Sequence, residues 1–146
     1  MTMHLRIQQE DFDINAEIET LRNSGVGAIA TFTGIVRGDD DLAALTLEHY
    51  PGMTEREIAR HVAEAQSRWT LSGVIIVHRI GRLAPGDNIV LVAVASAHRK
   101  AAFEACEFLV DYLKTRAPFW KREEHSGTIQ WVEAKTSDDE AAKKWR

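Results

Sequence analysis

The spacing of apolar and polar residues divides the chain into short strands and amphipathic helices. Runs rich in β-branched residues predict strands at residues 5–8, 27–37, 45–49, 74–80 and 89–96, and two shorter ones at 120–123 and 128–134. Pro51-Gly52 ends the third of these strands, and Pro85-Gly86-Asp87 predicts the turn between the fourth and the fifth.

Apolar residues three and four positions apart predict the helices. Asp13 is the expected N-cap of the first helix, which Ser24-Gly25 closes. Thr54 and Glu57 form a Thr-x-x-Glu pattern, which predicts a capping box at the start of the second helix.

A third helix is predicted from about His98 to Arg116, and a short final one near Ser137 and Glu140. The resulting order of elements, βαββαββαββα, mixes hairpins with crossovers. This order indicates an α+β domain with a largely antiparallel sheet.

Length and composition narrow the functional class. At 146 residues we expect one domain covering residues 1–146, large enough to fold without a disulfide or a metal. The net charge of -4 argues against a general nucleic-acid binder. No apolar run has membrane-spanning length, and the N-terminus lacks the apolar segment of a signal peptide. Because Cys106 is the single cysteine, we expect no internal disulfide and a reducing, cytoplasmic location.

The segment around Pro118 carries the strongest chemical signal. Proline stops a helix there, so Lys114 falls on the last helical turn and Lys121 on the extended segment beyond it. Partial burial beside Phe119 and Trp120 would lower the pKa of an ammonium group towards the range useful for proton transfer. The alternative is that these cations only complement the dipole at the end of the helix.

A second signal lies where a strand passes into the third helix, at Ser96-Ala-His98-Arg99-Lys100. Cations in the first turn oppose the helix dipole, which is more easily understood if an anion binds there. The alternative is that these side chains point into water at small cost. Arg37, at the end of a long apolar strand, is either a further anion ligand or a solvated strand end.

Other residues give weaker signals. Cys106 lies on the apolar side of its helix, which favours a buried, unreactive thiol over a nucleophile. The six histidines show no metal-binding spacing, so no metal site is predicted. Phe32 fits either the core or the wall of a pocket, whereas the tryptophans at 69, 131 and 145 are interpreted as packing residues. The residues alone therefore indicate an anion-binding α+β domain with a candidate acid–base pair of lysines.

Several segments together resemble the catalytic (large) subunit of molybdopterin synthase. They are Ala30-Thr-Phe-Thr-Gly-Ile-Val-Arg37, Leu45-Thr-Leu-Glu-His-Tyr-Pro-Gly-Met-Thr54, His78-Arg-Ile-Gly81, Pro85-Gly-Asp87, Ala95-Ser-Ala-His-Arg99, Asp111-Tyr-Leu-Lys-Thr-Arg-Ala-Pro-Phe-Trp-Lys-Arg-Glu123 and Trp131-Val-Glu-Ala134. The match covers nearly the whole chain in order, and the stretch Lys-Thr-x-Ala-Pro-Phe-Trp-Lys is the most specific part of it.

The resemblance implies an α/β hammerhead-type domain with a small additional β-subdomain, and an enzyme of molybdenum cofactor biosynthesis. Such enzymes convert cyclic pyranopterin monophosphate (precursor Z) to molybdopterin by forming its dithiolene. The sulphur comes from the C-terminal Gly-Gly thiocarboxylate of a small ubiquitin-like carrier. Two large subunits form a central homodimer with one carrier at each end, which makes a heterotetramer. No cofactor is implied.

The resemblance also implies roles for individual residues. Lys114 and Lys121 match the catalytic lysines, and both are expected to touch the substrate. Further substrate contacts are expected at Phe32, Ile35, Val36, Arg37, His98, Arg99, Arg122, Glu123 and Lys135. Lys135, which is arginine in some relatives, would act from the neighbouring subunit if it reaches the phosphate site. The short acidic loop at residues 38–41 departs from relatives that have a longer one.

One alternative from a different class is a subunit without catalytic activity. It would only hold a phosphorylated ligand or a ubiquitin-like partner. Such a subunit needs cations but does not need a lysine pair around a proline–aromatic break, so the lysine pair separates the two hypotheses.

Overall fold

The computed structural model describes residues 1–39, 41–132 and 136–145, with the backbone alone for residues 136 and 137. Its strands are β1 (Thr2–Gln8), β2 (Ala28–Ile35), β3 (Leu42–His49), β4 (Gly73–Arg79), β5 (Gly81–Leu83), β6 (Asn88–Ser96), β7 (Phe119–His125) and β8 (Thr128–Val132). Its helices are α1 (Ile14–Glu19), α2 (Met53–Arg68), α3 (Arg99–Thr115) and α4 (Thr136–Lys143).

Two four-stranded sheets organise these elements. The first sheet has the order β1-β4-β6-β2, with β1 parallel to β4 and the other neighbours antiparallel. The second sheet has the order β5-β3-β7-β8 and is antiparallel throughout. The predicted α+β class with a largely antiparallel sheet is confirmed, and the second sheet fits the expected additional β-subdomain.

The first sheet is buried on both faces, which explains the continuous apolar runs of β4 and β6. On one face Val74, Ile76 and Val92 pack with Phe108 and Leu109 of α3. On the other face lies a smaller cluster around α1, whose buried members are Leu21, Ile75, Val77, Leu91, Ala93 and Ala95. Because β-strand side chains alternate between faces, residue 78 of β4 falls on the α3 side.

The start of α2 differs from the predicted capping box. The N-cap is Gly52, at a φ of 86° that glycine adopts without strain, and its N–H donates to Oε1 of Glu55 at 3.1 Å. Thr54 lies inside the helix and is fully buried, so the Thr54–Glu57 box is wrong. Asp13 does cap α1, since its Oδ1 accepts from the N–H of Ala16 at 3.1 Å.

Three further differences concern short or exposed segments. The helix α1 ends at Glu19, earlier than the predicted stop at Ser24-Gly25. The three residues of β5 were not predicted, because a strand so short leaves no readable alternation. Trp131 is 59% exposed and is not a core residue, whereas Trp69 and Trp145 pack in the core as expected. Residues 133 and 134 of the predicted last strand lie outside the described residues.

The predicted turn at Pro85-Gly86-Asp87 is present and fixes the end of β2. Gly86 has a φ of 91°, which the second central position of a type II turn requires. Its N–H donates to the carbonyl of Val36 at 2.8 Å, and the N–H of Val36 donates to the carbonyl of Asp87 at 2.9 Å. The segment that leads to Arg37 is therefore held against this turn.

Candidate active site

The break after α3 is fixed by hydrogen bonds that the sequence did not reveal. The N–H groups of Arg116 and Ala117 both donate to the carbonyl of Tyr112, at 2.9 and 3.1 Å, and close the helix. Thr54 of α2 donates its hydroxyl to the carbonyl of Pro118 at 3.1 Å and accepts from the N–H of Tyr50 at 2.9 Å. The buried threonine thus holds the reversal that carries the chain from α3 into β7.

Lys114 and Lys121 lie on the two sides of this break, where they were predicted to be. Lys114 is on the last turn of α3, and Lys121 is the third residue of β7. Both are half-buried. In the second sheet Lys121 lies opposite Leu47 of β3, a residue of the core, so its side chain faces α3 and the first sheet.

The two lysines line one pocket where the two sheets meet the C-terminal end of α3. Its free volume is about 30 Å³, enough for at least one water molecule. Seven apolar residues form most of the wall: Phe32, Leu47, Ile89, Val90, Val110, Leu113 and Phe119. The polar lining side chains are Lys114, Lys121 and His78. Lys114 Nζ lies 6.0 Å from the centroid of the Phe32 ring, so Phe32 is a pocket residue as well as a partner of the core.

His78 is a pocket residue that sequence reasoning did not select. It is 6% exposed, and its ring stacks on Phe119 with centroids 3.9 Å apart and planes 15° apart. Burial, together with the positive charges of Lys121 and Lys114, lowers the pKa of His78 to about 4. The available signal was a histidine on the inward face of an otherwise apolar strand.

The residues after β2 lie at the same end of the first sheet as this pocket, since Ile35 pairs with Asn88 at the end opposite to Ala28 and Ser96. Ile35 is 55% exposed and Val36 is buried. Arg37 is exposed, with Nε 2.5 Å from Oδ2 of Asp39. An anion that binds Arg37 would therefore compete with this carboxylate.

His98 and Arg99 lie at the other end of α3. Ser96, just before them, pairs with Ala28 at the end of β6 and β2 that is farthest from the pocket. His98 is the N-cap residue of the helix. With a rise of 1.5 Å per residue, Arg99 is about 22 Å from Lys114 along the helix axis. A single chain therefore does not bring His98 and Arg99 to the lysine pair, contrary to the expectation that all of these residues contact one substrate.

The remaining predicted contacts divide between the two faces of β7. Arg122 alternates with Lys121 and points to the opposite face, where its guanidinium lies 5.8 Å from the centroid of Trp131. Glu123 is on the pocket face, and its Oε2 is 3.0 Å from Nε2 of His125. Lys135 lies outside the described residues.

Cys106 is a poor candidate for a nucleophile. It is 6% exposed on the inner side of α3, and burial raises the pKa of its thiol to about 11. Across residues 1–39, 41–132 and 136–145, no group of three His, Cys, Asp or Glu side chains could hold a metal ion. Within the same residues no helix has both the length and the apolar character needed to cross a membrane.

Comparison with known proteins gives a consistent result. The MoaE protein family matches residues 7–116. The chain is 54% identical to the molybdopterin synthase catalytic subunit of Mesorhizobium japonicum, over 97% of this chain and 92% of that one. It is also similar to the solved structure of the MoaE protein from Burkholderia ambifaria, with 51% identity, a TM-score of 0.85, and coverage of 99% of this chain and 98% of that one.

A further solved structure, molybdopterin synthase from Staphylococcus aureus, has 35% identity and a TM-score of 0.79, and the match covers 86% of this chain and 94% of that one. The family match covers well over half of the chain, and the relatives match it over nearly its full length. The chain therefore belongs to the MoaE family, the catalytic subunits of molybdopterin synthase.

Proposed function

We propose that this protein converts cyclic pyranopterin monophosphate to molybdopterin, with sulphur from the C-terminal thiocarboxylate of a small ubiquitin-like carrier. The observation that carries the proposal is the convergence of Lys114 and Lys121 on one narrow pocket at the junction of the two sheets. Each transfer forms a C–S bond to a carbon of the pterin side chain while a C–O bond at that carbon breaks, and the oxygen takes up a proton and leaves as water or stays with the phosphate. Water then replaces the sulphur on the terminal carbonyl carbon, and the carrier leaves as a carboxylate.

The buried thiol supports a donor outside this chain. A sulphurtransferase that carries its own sulphur needs an accessible thiolate, and Cys106 is buried with a raised pKa. A carrier with a terminal thiocarboxylate removes that need.

The lysines suit the two remaining tasks, which are to bind the anionic groups of carrier and substrate and to transfer protons. Their ammonium groups attract the terminal anion of the carrier and the substrate phosphate. Either amine can also donate or accept a proton while the C–S bond forms and while water attacks the acyl carbon. Seven apolar neighbours keep this part of the pocket poor in water, which strengthens both interactions.

The position of His98 and Arg99 favours a homodimer. These residues are too far from Lys114 to meet the same substrate within one chain, and the first turn of α3 has no acidic residue to neutralise them. A second copy that places its His98 and Arg99 beside the first copy's lysines and Arg37 would supply the phosphate site. With one carrier at each end, the assembly is a heterotetramer. A cytoplasmic location is compatible with Cys106, which is a free, buried thiol.

The test is mass spectrometry of precursor Z after incubation with the protein and thiocarboxylated carrier. We expect a product that has gained two sulphurs with the wild type, and none with Lys114→Ala or Lys121→Ala. Lys143→Ala, on the exposed side of α4, is the matched control and should leave the yield unchanged. Lack of product from the folded wild type would instead support a binding subunit without catalytic activity, and normal yield from either lysine variant would refute the assigned roles.

A further inference from the structure

His78 occupies a special position in the pocket of Lys114 and Lys121. Its Nδ1 lies 2.9 Å from the carbonyl oxygen of Arg79. A carbonyl only accepts, so Nδ1 must carry a proton there. The low pKa of the ring, set by burial and by the charges of the two lysines and His49, keeps it neutral at physiological pH. In a neutral imidazole with Nδ1 protonated, Nε2 is an acceptor.

Among the described side chains that line the pocket, Nε2 of His78 is the single acceptor. The two lysines carry only donors, and the other lining residues are apolar. An N–H or O–H group that enters between the lysines therefore finds a single side-chain acceptor in the described lining, Nε2 of His78. A buried donor left without a partner would cost affinity, so this acceptor selects what can bind.

The size and charge of the pocket restrict its occupant. The free volume between the lysines and the apolar wall is about 30 Å³, so an occupant has to be narrow at this point. A C-terminal glycine has no side chain, ends in an anion, and carries one amide N–H two bonds from its terminal carbon. The anion matches the two ammonium groups, and the adjacent N–H matches the one acceptor.

We propose that His78 binds the carrier's tail, with Nε2 accepting a hydrogen bond from the amide N–H of the terminal glycine while Lys114 and Lys121 hold the terminal anion. This role rests on the proposed function, because it needs a carrier with a glycine end. The stack on Phe119 fixes the plane of the imidazole, and the Nδ1 bond to Arg79 fixes its tautomer. The binding group is thus in place before the tail arrives.

The experiment removes the N–H from the tail and the acceptor from the pocket in turn. A semisynthetic carrier in the unreactive carboxylate form has its last peptide bond replaced by an ester, which deletes this N–H without adding bulk. In the positional control, an ester replaces the preceding peptide bond of the carrier instead. Dissociation constants are measured by calorimetry with the wild type, His78→Leu and His78→Phe. Neither variant side chain has an acceptor, and phenylalanine keeps the stack on Phe119.

We expect the last-bond ester to weaken binding to the wild type about tenfold, and to change binding to either variant by less than twofold. The earlier ester should show no dependence on residue 78. If one variant fails to fold, the other completes the comparison. In the wild type, the ¹⁵N signal of Nε2 should shift with the native tail and not with the ester tail.

Equal ester penalties in the wild type and the variants would overturn the role of His78. If the same wild-type preparation still forms the dithiolene product with thiocarboxylated carrier, only this inference fails. If native carrier does not bind and no product forms, the proposed function fails with it.

Discussion

The two ends of helix α3 carry cations in contrasting surroundings. At the C-terminal end Lys114 is half-buried, complements the helix dipole, and shares a pocket with Lys121 and His78. At the N-terminal end His98 and Arg99 are exposed and oppose the dipole. The C-terminal end thus gathers two lysines and a histidine within one chain, whereas the cations of the N-terminal end have no acidic residue in the first turn of their own helix.

The surrounding packing supports this contrast. His61 of α2 stacks on Phe108 and Tyr112, with centroids 4.7 and 3.8 Å apart, and His78 stacks on Phe119 just beyond the helix. One buried imidazole therefore packs on the C-terminal half of α3, and the other packs on the first residue of β7.

The largest expected effect comes from a variant of Lys121 that keeps its positive charge but cannot transfer a proton. In Lys121→Arg the positive charge stays, but guanidinium does not give up its proton in this pH range. We expect turnover to fall by at least about a hundredfold, while the affinity for the carrier changes by only a few-fold. Single-turnover assays with thiocarboxylated carrier measure the first quantity, and calorimetry with the carboxylate form measures the second. Retained turnover would mean that Lys121 acts through its charge alone.

A smaller effect concerns the two buried imidazoles. Burial lowers the pKa of both His61 and His78 to about 4, against 6.5 for an exposed histidine. Below pH 6.5 the unfolded chain takes up protons that the folded chain refuses, so stability should fall as the pH drops from 6.5 to 4. Between pH 7 and pH 5 the loss should be about 2–4 kcal/mol in total.

Urea unfolding at pH 7 and pH 5 measures this loss. In His61→Phe, which keeps the aromatic stack, the contribution of one imidazole disappears and the difference between the two pH values should shrink. An unchanged difference would show that His61 does not titrate between the folded and unfolded states as described.

The smallest effect concerns the reversal after α3. Thr54→Val keeps the shape of the buried side chain but leaves the N–H of Tyr50 and the carbonyl of Pro118 without their shared partner. We expect a loss of about 1–2 kcal/mol in the free energy of unfolding. Thr20→Val, which removes an exposed hydroxyl that bonds the carbonyl of Glu17, should cost less. Equal losses would mean that Thr54 does not hold the break.

Much of the fold could be predicted because the decisive signals are local. The apolar runs of β4 and β6 and the proline break after α3 follow from a few neighbouring residues. The positions of Lys114 and Lys121 were predictable for the same reason, since a helix end and a chain reversal separate them by only seven residues.

The missed features depend on partners that are distant in sequence or on special backbone geometry. His78 becomes a pocket residue only because Phe119 of the second sheet stacks on it. The cap of α2 depends on the positive φ of Gly52, which a Thr-x-x-Glu pattern does not reveal. The distance between Arg99 and Lys114 follows from the length of the predicted helix, about 22 Å for fifteen residues. This distance already excluded a site in which both residues of one chain contact the same substrate.

The most direct test of this account asks whether the two ends of α3 meet across a dimer. Arg99→Glu and Lys121→Ala chains, each with a different tag, are co-expressed and purified through both tags, so that only mixed dimers remain. Each parent dimer should be inactive at limiting substrate. If His98 and Arg99 act on the neighbouring chain's site, the mixed dimer contains one intact site and should show about half of the wild-type activity. A mixed dimer as inactive as its parents, or a protein that is monomeric under assay conditions, would contradict the account.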